Sequence, residues 1–226
     1  MRNWPRSPEQ LVLEQEELAR AAPAAWRPPG GPLAVAGCFI CFPRGQTGPG
    51  AAGDPGWAAA ALVRRRRVEA SSVVSGEARA PYEPGLLALR EGPLLEAAVR
   101  ALDGEPDALL VDATGRDHPR GAGLALHLGA VLDLPSAGVT HRLLVAQGGW
   151  PEDRRGATAP FRVDGEVAGY WLRTRRGTRP LAVHAGWRTD PSAAVELVLA
   201  ALGRTRTPEP LRRARRLART ARARAG

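Results

Sequence analysis

Residues 33–42 read LAVAGCFICF, ten positions without a charged or amide side chain. A Pro/Gly-rich run over 23–32 closes one end, and Pro43 with a Gly-rich loop over 45–56 closes the other. A strand with one wet face alternates apolar and polar residues. This run does not, so it is expected to be a strand buried on both faces, with a layer of structure above and below it. The rest of the chain supplies those layers. A helix is expected over 8–22, with Ser7 as N-cap and Leu11, Leu13 and Leu18 as its apolar contacts. Strands are expected over 57–63 and 67–78, with Arg64, Arg65, Arg66 and Arg67 between or within them. Helices over 86–102, 121–132 and 191–202 then alternate with strands over 108–112, 137–140, 169–173 and 181–184. A helix, a β-meander and then alternating α and β imply an α/β fold: a mixed sheet with helices on both faces.

The 226 residues suit one ordinary domain, or one domain with a tail. Hydrophobic residues make up 44%, which excludes a globally disordered chain. All 32 basic residues are Arg, and the net charge is +9. Residues 204–226 hold nine Arg and the single acid Glu209, so they account for +8 of it. The body, 1–203, is nearly neutral. The Arg-rich segment reads as a helix from about Glu209, with its Arg spread around the axis. Two readings stand for it: salt-sensitive attachment to nucleic acid, or a solvated terminal helix. Cys38 and Cys41 are the only cysteines, which excludes a disulfide-framed module. Three apart on a strand, they point to opposite faces and do not share a zinc ion. No apolar stretch reaches about 18 residues and no signal-peptide pattern opens the chain, so a cytoplasmic protein is expected.

The most informative acid is Asp112, at the end of the apolar strand ALLVD. Sites collect at such strand ends, and a carboxylate there needs a partner. DATGRDHPR follows it, dense in polar side chains. Glu91, after a turn, is a second carboxylate from a separate element, and two such groups suit a hard cation. His118, in the polar loop, is the better acid/base candidate, while His127 reads as a packed helix residue.

PYEPGLLALRE at 81–91 resembles endonuclease V, a nuclease family acting at deoxyinosine. The likeness continues through Val111-Asp112, HPRGAGLALHLG at 118–129, PSAGV at 135–139 and PEPLR at 208–212. The resemblance implies a ribonuclease H-like fold and a Mg²⁺-dependent (Mn²⁺ also expected) endonuclease, a hydrolase of DNA repair. Glu91 and Asp112 match metal acids, and with His118 they form the implied catalytic set. Pro81, Tyr82, Glu83, Pro84 and Gly85 match the strand-separating wedge, where a flipped hypoxanthine is read. Arg120 is the implied phosphate contact. Inosine-containing DNA or RNA is the implied partner, met by a monomer and without a membrane.

This sequence also departs from the family pattern. Phe39 stands where the first strand acid is expected, His141 where a Lys is expected, and Trp187 where a His is expected. Phe cannot bind Mg²⁺. Losing one principal acid is expected to slow turnover ~1000-fold or more. The alternative is a relative that binds nucleic acid with impaired cutting. Asp54 and Asp117 are the remaining acids considered near such a site.

Overall fold

The computed structural model describes residues 2–45 and 48–226. Gln46 and Thr47, within the loop expected over 45–56, lie outside the described residues, as does Met1. The elements in chain order are α1 (Pro8–Arg20), β1 (Ala34–Cys41), β2 (Pro55–Arg64), β3 (Arg67–Glu77), α2 (Leu87–Arg100), β4 (Ala108–Val111), α3 (Leu124–Leu132), β5 (Ser136–Thr140), β6 (Thr158–Val163), β7 (Glu166–Leu172), β8 (Leu181–Ala185), α4 (Pro191–Ala200) and α5 (Glu209–Ala225). One eight-stranded sheet runs β3-β2-β1-β4-β5-β8-β7-β6. β1, β4 and β5 are parallel and form its centre. The pairs that flank them are antiparallel. The expected mixed α/β sheet is therefore present, with a ribonuclease H-like arrangement.

The apolar run of β1 divides its side chains between two helical layers. Ala34, Ala36, Cys38 and Ile40 pack with Leu11 of α1, Leu89 and Leu95 of α2 and Leu128 of α3. Val35 meets Leu197 of α4 and Leu211 of α5 on the opposite face. Phe39 and Cys41 meet Ala218 of α5 on that same face. The two cysteines thus sit on opposite faces, both unbridged.

β6 was not expected from the sequence. Its signal is the Asp164-Gly165 pair between two β-rich runs, which pairs Val163 with Glu166 across a two-residue turn. Arg65 and Arg66 likewise form the β2–β3 turn, both at positive φ.

The Arg-rich segment is not an appendage. Leu211, Ala214 and Ala218 of α5 are buried, three and four residues apart, and seat the helix on β1 and β2. An added Cβ on Gly37 of β1 would stand 2.5 Å from the Leu211 backbone nitrogen, so glycine sets how closely α5 approaches. The sequence spreads the Arg around the axis rather than confining them to one face. The small residues between them mark a face that water does not reach.

Candidate functional site: a glycine loop and an acid cavity

The carboxyl ends of the parallel strands gather the site. Two segments build it. The loop before α2 carries 81–85 and leads into Glu91. The loop after β4 begins at Asp112 and reaches His118 and Arg120. Each segment contributes to two clusters.

The first cluster surrounds Gly85. Pro81, Tyr82, Glu83 and Pro84 are exposed, with Tyr82 presenting 44% of its surface. Gly85 has φ +80°, which an L side chain rarely adopts. Its carbonyl accepts from Arg120 Nη2 at 2.7 Å and from Gln15 Nε2 at 3.1 Å. Arg120 Nε also donates to Gln15 Oε1 at 2.6 Å. Arg120, expected as a phosphate contact, is thus engaged in bracing the loop. Sequence reasoning missed Gln15. Its signal is a polar residue in register with Leu11 and Leu18 on the inward stripe of α1. His118 is buried against this brace, and its Nδ1 accepts from the Arg120 amide at 3.2 Å. Burial, then the Arg120 charge, push its imidazole down to about 4, so it is neutral at pH 7. It is placed to fix the loop or to donate through Nε2. Beside this loop, Glu83, Pro84, Leu86 and Arg120 meet α1 around a cavity of about 500 Å³.

The second cluster is a cavity of about 200 Å³ lined by Cys38, Phe39, Ile40, Leu87, Glu91, Leu95, Val111 and Asp112. The structure therefore brings Glu91 and Asp112 together, with Phe39 beside them. Burial, then the Asp112 charge, push the Glu91 carboxyl up to about 8, so at pH 7 it favours its protonated form. Burial and the same two acids raise the Cys38 thiol. Asp112 accepts from Arg215 Nη2 of α5 at 2.8 Å. The Arg215 guanidinium stands 5.3 Å from the Phe39 ring centre, and that of Arg219 stands 5.6 Å away. Both distances suit cation–π attraction. Arg215 Nε–H is buried and has no partner among the described residues. Sequence reasoning missed Arg215. It lies one turn after Leu211, at the edge of the buried stripe of α5.

Whether this cavity suits the Mg²⁺ or Mn²⁺ that the resemblance implies depends on its donors. A hard divalent cation needs oxygen ligands at about 2 Å in near-octahedral order. Phe39 offers hydrocarbon. Asp112 is already neutralised by a fixed cation. Glu91 favours the acid form. No group of three or more His, Cys, Asp or Glu able to hold a metal stands together among the described residues. As arranged, the residues do not fit the ion.

Asp54 and Asp117 do not make up the deficit. Asp54 pairs with Arg90 at 2.7 Å. Asp117 is fully buried and accepts from the amides of Leu144, Val145 and Ala146, each at 2.8 Å. Trp187 packs beside α3 and donates to Asp133, outside the cavity lining. His141 is exposed after β5, 3.2 Å from Arg206 Nη2.

The sequence profile of endonuclease V matches residues 34–216. The endonuclease V of Thermus thermophilus is 45% identical over 145 residues, 63% of this chain and 64% of that protein. The match thus spans a little under two thirds of that relative. A crystal structure of the Streptomyces avermitilis endonuclease V superposes with a TM-score of 0.86 at 34% identity, covering 99% of this chain and 96% of that one. The Ciona intestinalis endonuclease V shares the fold at 19% identity and a TM-score of 0.79, over 97% of this chain and all of that one. That protein was crystallised with a 24mer DNA containing an inosine followed by a ribo-adenosine. A profile match reaching from the first sheet strand into α5 carries the assignment: this chain belongs to the endonuclease V family.

Proposed function

We propose that this chain recognises inosine in nucleic acid through the Gly85 loop, and that its hydrolytic centre has been rebuilt as a carboxylate–guanidinium pair that does not turn over. Recognition is supported by the braced loop, its exposed Tyr82, and the inosine-containing DNA bound by the Ciona relative. The observation that carries the second half is Arg215 on Asp112 beside Phe39. Arg215 places a permanent positive charge where the family pattern implies a divalent ion. A guanidinium holds a phosphate by paired hydrogen bonds. It does not generate hydroxide from water, which is what a bound metal supplies to hydrolysis. The pair thus lacks that activation step.

The opposite outcome has its own structural ground. Glu91 and Asp112 still share one cavity, so a cation able to displace Arg215 would meet two carboxyl groups. The test is a single-inosine oligonucleotide with excess protein, in EDTA, Mg²⁺ or Mn²⁺, beside an Asp112→Ala control. Inosine-preferring binding that survives EDTA, with no strand scission, is the expected result. Metal-dependent scission that disappears in Asp112→Ala overturns the reading and makes the chain a working Mg²⁺ or Mn²⁺ endonuclease.

A further inference from the structure

A band of cationic and aromatic groups leads away from Asp112, beyond the Gly85 loop and the acid cavity. Arg215 sits on Asp112. The charges of Arg206, Arg215 and Arg179 all act on His141, and the charges of Arg179 and Arg215 act on Arg206. Arg206 Nε donates to the Arg179 carbonyl at 2.6 Å. The Arg179 guanidinium lies 5.3 Å from the centre of the Trp150 ring. Trp150 exposes 52% of its surface, an unusual placement for a tryptophan in a chain with six of them.

The Trp150 loop is held in place rather than loose. Trp150 meets the buried Trp171 edge-on at 6.3 Å, and Trp171 Nε1 donates to the Gly148 carbonyl at 3.1 Å. The largely buried Arg173 donates to the carbonyls of Pro151 at 3.1 Å and Glu152 at 3.4 Å. Asp153 accepts from the Gly177 amide at 2.9 Å. A rigid exposed indole loses little freedom when a flat partner stacks on it. Arg175, Arg176 and Arg179, exposed on the adjoining β7–β8 loop, favour an anionic partner. Charge for a backbone and a ring for a base are together the design of single-strand binding surfaces.

We infer that Trp150, Arg179 and Arg206 form a track for an unpaired nucleotide segment flanking the inosine, with one base stacked on Trp150 and the adjoining phosphates facing the two arginines. This rests on the inosine-recognition reading, and the experiment separates the two. Labelled single strands carrying one central inosine or adenosine are titrated with the full-length protein by anisotropy. Trp150→Ala is expected to weaken both strands roughly tenfold or more while leaving their ratio unchanged, because stacking is tolerant of sequence. Trp150→Phe is expected to retain most of the affinity. Arg179→Ala is expected to lower the salt slope by about one. Strands trimmed from each end in turn are expected to show a step in affinity on one side only, absent in Trp150→Ala. Thermal melting checks that the variants fold. Unchanged affinity in folded Trp150→Ala, or an equal loss on fully paired duplex, overturns the track. A wild-type protein without inosine preference overturns the Gly85-loop reading and leaves the track to be judged by the Trp150 series.

Discussion

The Gly85 loop and the acid cavity share two segments, the loop before α2 and the loop after β4, yet their polar frames differ. Around Gly85 the brace has defined partners: Arg120 and Gln15 on the carbonyl, His118 on the Arg120 amide. In the adjoining cavity, an aromatic ring and an arginine stand where a divalent ion needs oxygen donors. On the proposed function, the difference teaches that recognition and hydrolysis are separable in this fold. In that reading the first depends on the shape of a short loop held by neutral and charge-assisted hydrogen bonds. Holding a divalent ion takes several oxygen atoms converging on one point, and Phe39 supplies none.

The sharpest way to break this contrast is to restore the cavity. Phe39→Asp returns an oxygen donor to β1, and Arg215→Gln removes the competing charge from Asp112. Together they are expected to give Mg²⁺-dependent cutting near inosine at least ~100-fold above wild type, since a metal-activated hydroxide contributes several kcal/mol to such a barrier. Phe39→Asp alone is expected to gain far less, because Arg215 would pair with the new carboxylate. Equal activity of single and double variants would show that Arg215 does not block the ion.

The Gly85 loop is tested next, with a smaller expected effect. Arg120→Ala removes a charge-assisted bond to the Gly85 carbonyl and leaves Gln15 Oε1 without its donor, a loss of about 1.5–3 kcal/mol. It is expected to reduce the preference for inosine over adenosine roughly tenfold. Arg120→Lys should not rescue it, since one ammonium cannot reproduce the two-pronged brace. If affinity falls while the preference stays, Arg120 contacts phosphate instead, as the family resemblance alone implied.

Much of this architecture was legible in the sequence for identifiable reasons. The run through β1 has no polar residue, so it had to be central, and ALLVD had to end at an acid that needs a partner. Short parallel strands with uniform apolar runs announce themselves. β6 did not, because its outward residues Thr158 and Pro160 alternate with small or half-buried ones, and only the Asp164-Gly165 turn marks it. The pairing of Glu91 with Asp112 was legible as two carboxyls from separate elements. Arg215 was not. Its role depends on α5 docking against Gly37, a contact between residues more than 170 positions apart that no local pattern encodes. Gln15 was hidden the same way, by a long-range partner in the Gly85 loop.

The mildest expected effect concerns the cost of leaving Glu91 in place. Its carboxyl is held near 8 against an ordinary value of 4.5, chiefly by burial and then by Asp112. Between those two values the unfolded chain releases a proton that the folded chain keeps. The contribution of Glu91 therefore makes stability fall as pH rises from about 4.5 to about 8, and it vanishes below that window. Glu91→Gln copies the protonated form without the proton. The variant is expected to melt higher than wild type at pH 8, by on the order of 1–2 kcal/mol after allowing for a half-buried position, and equally at pH 4. A variant that melts lower at pH 8 would mean that Glu91 is ionised and paired in the folded chain. Repeating the pair of melts with 10-fold steps of Mg²⁺ sharpens the contrast between the clusters. If the ion raises the melting temperature of wild type but not of Glu91→Gln, the cavity still admits a cation and Arg215 yields to it; if it moves neither, the guanidinium is the permanent occupant of that charge.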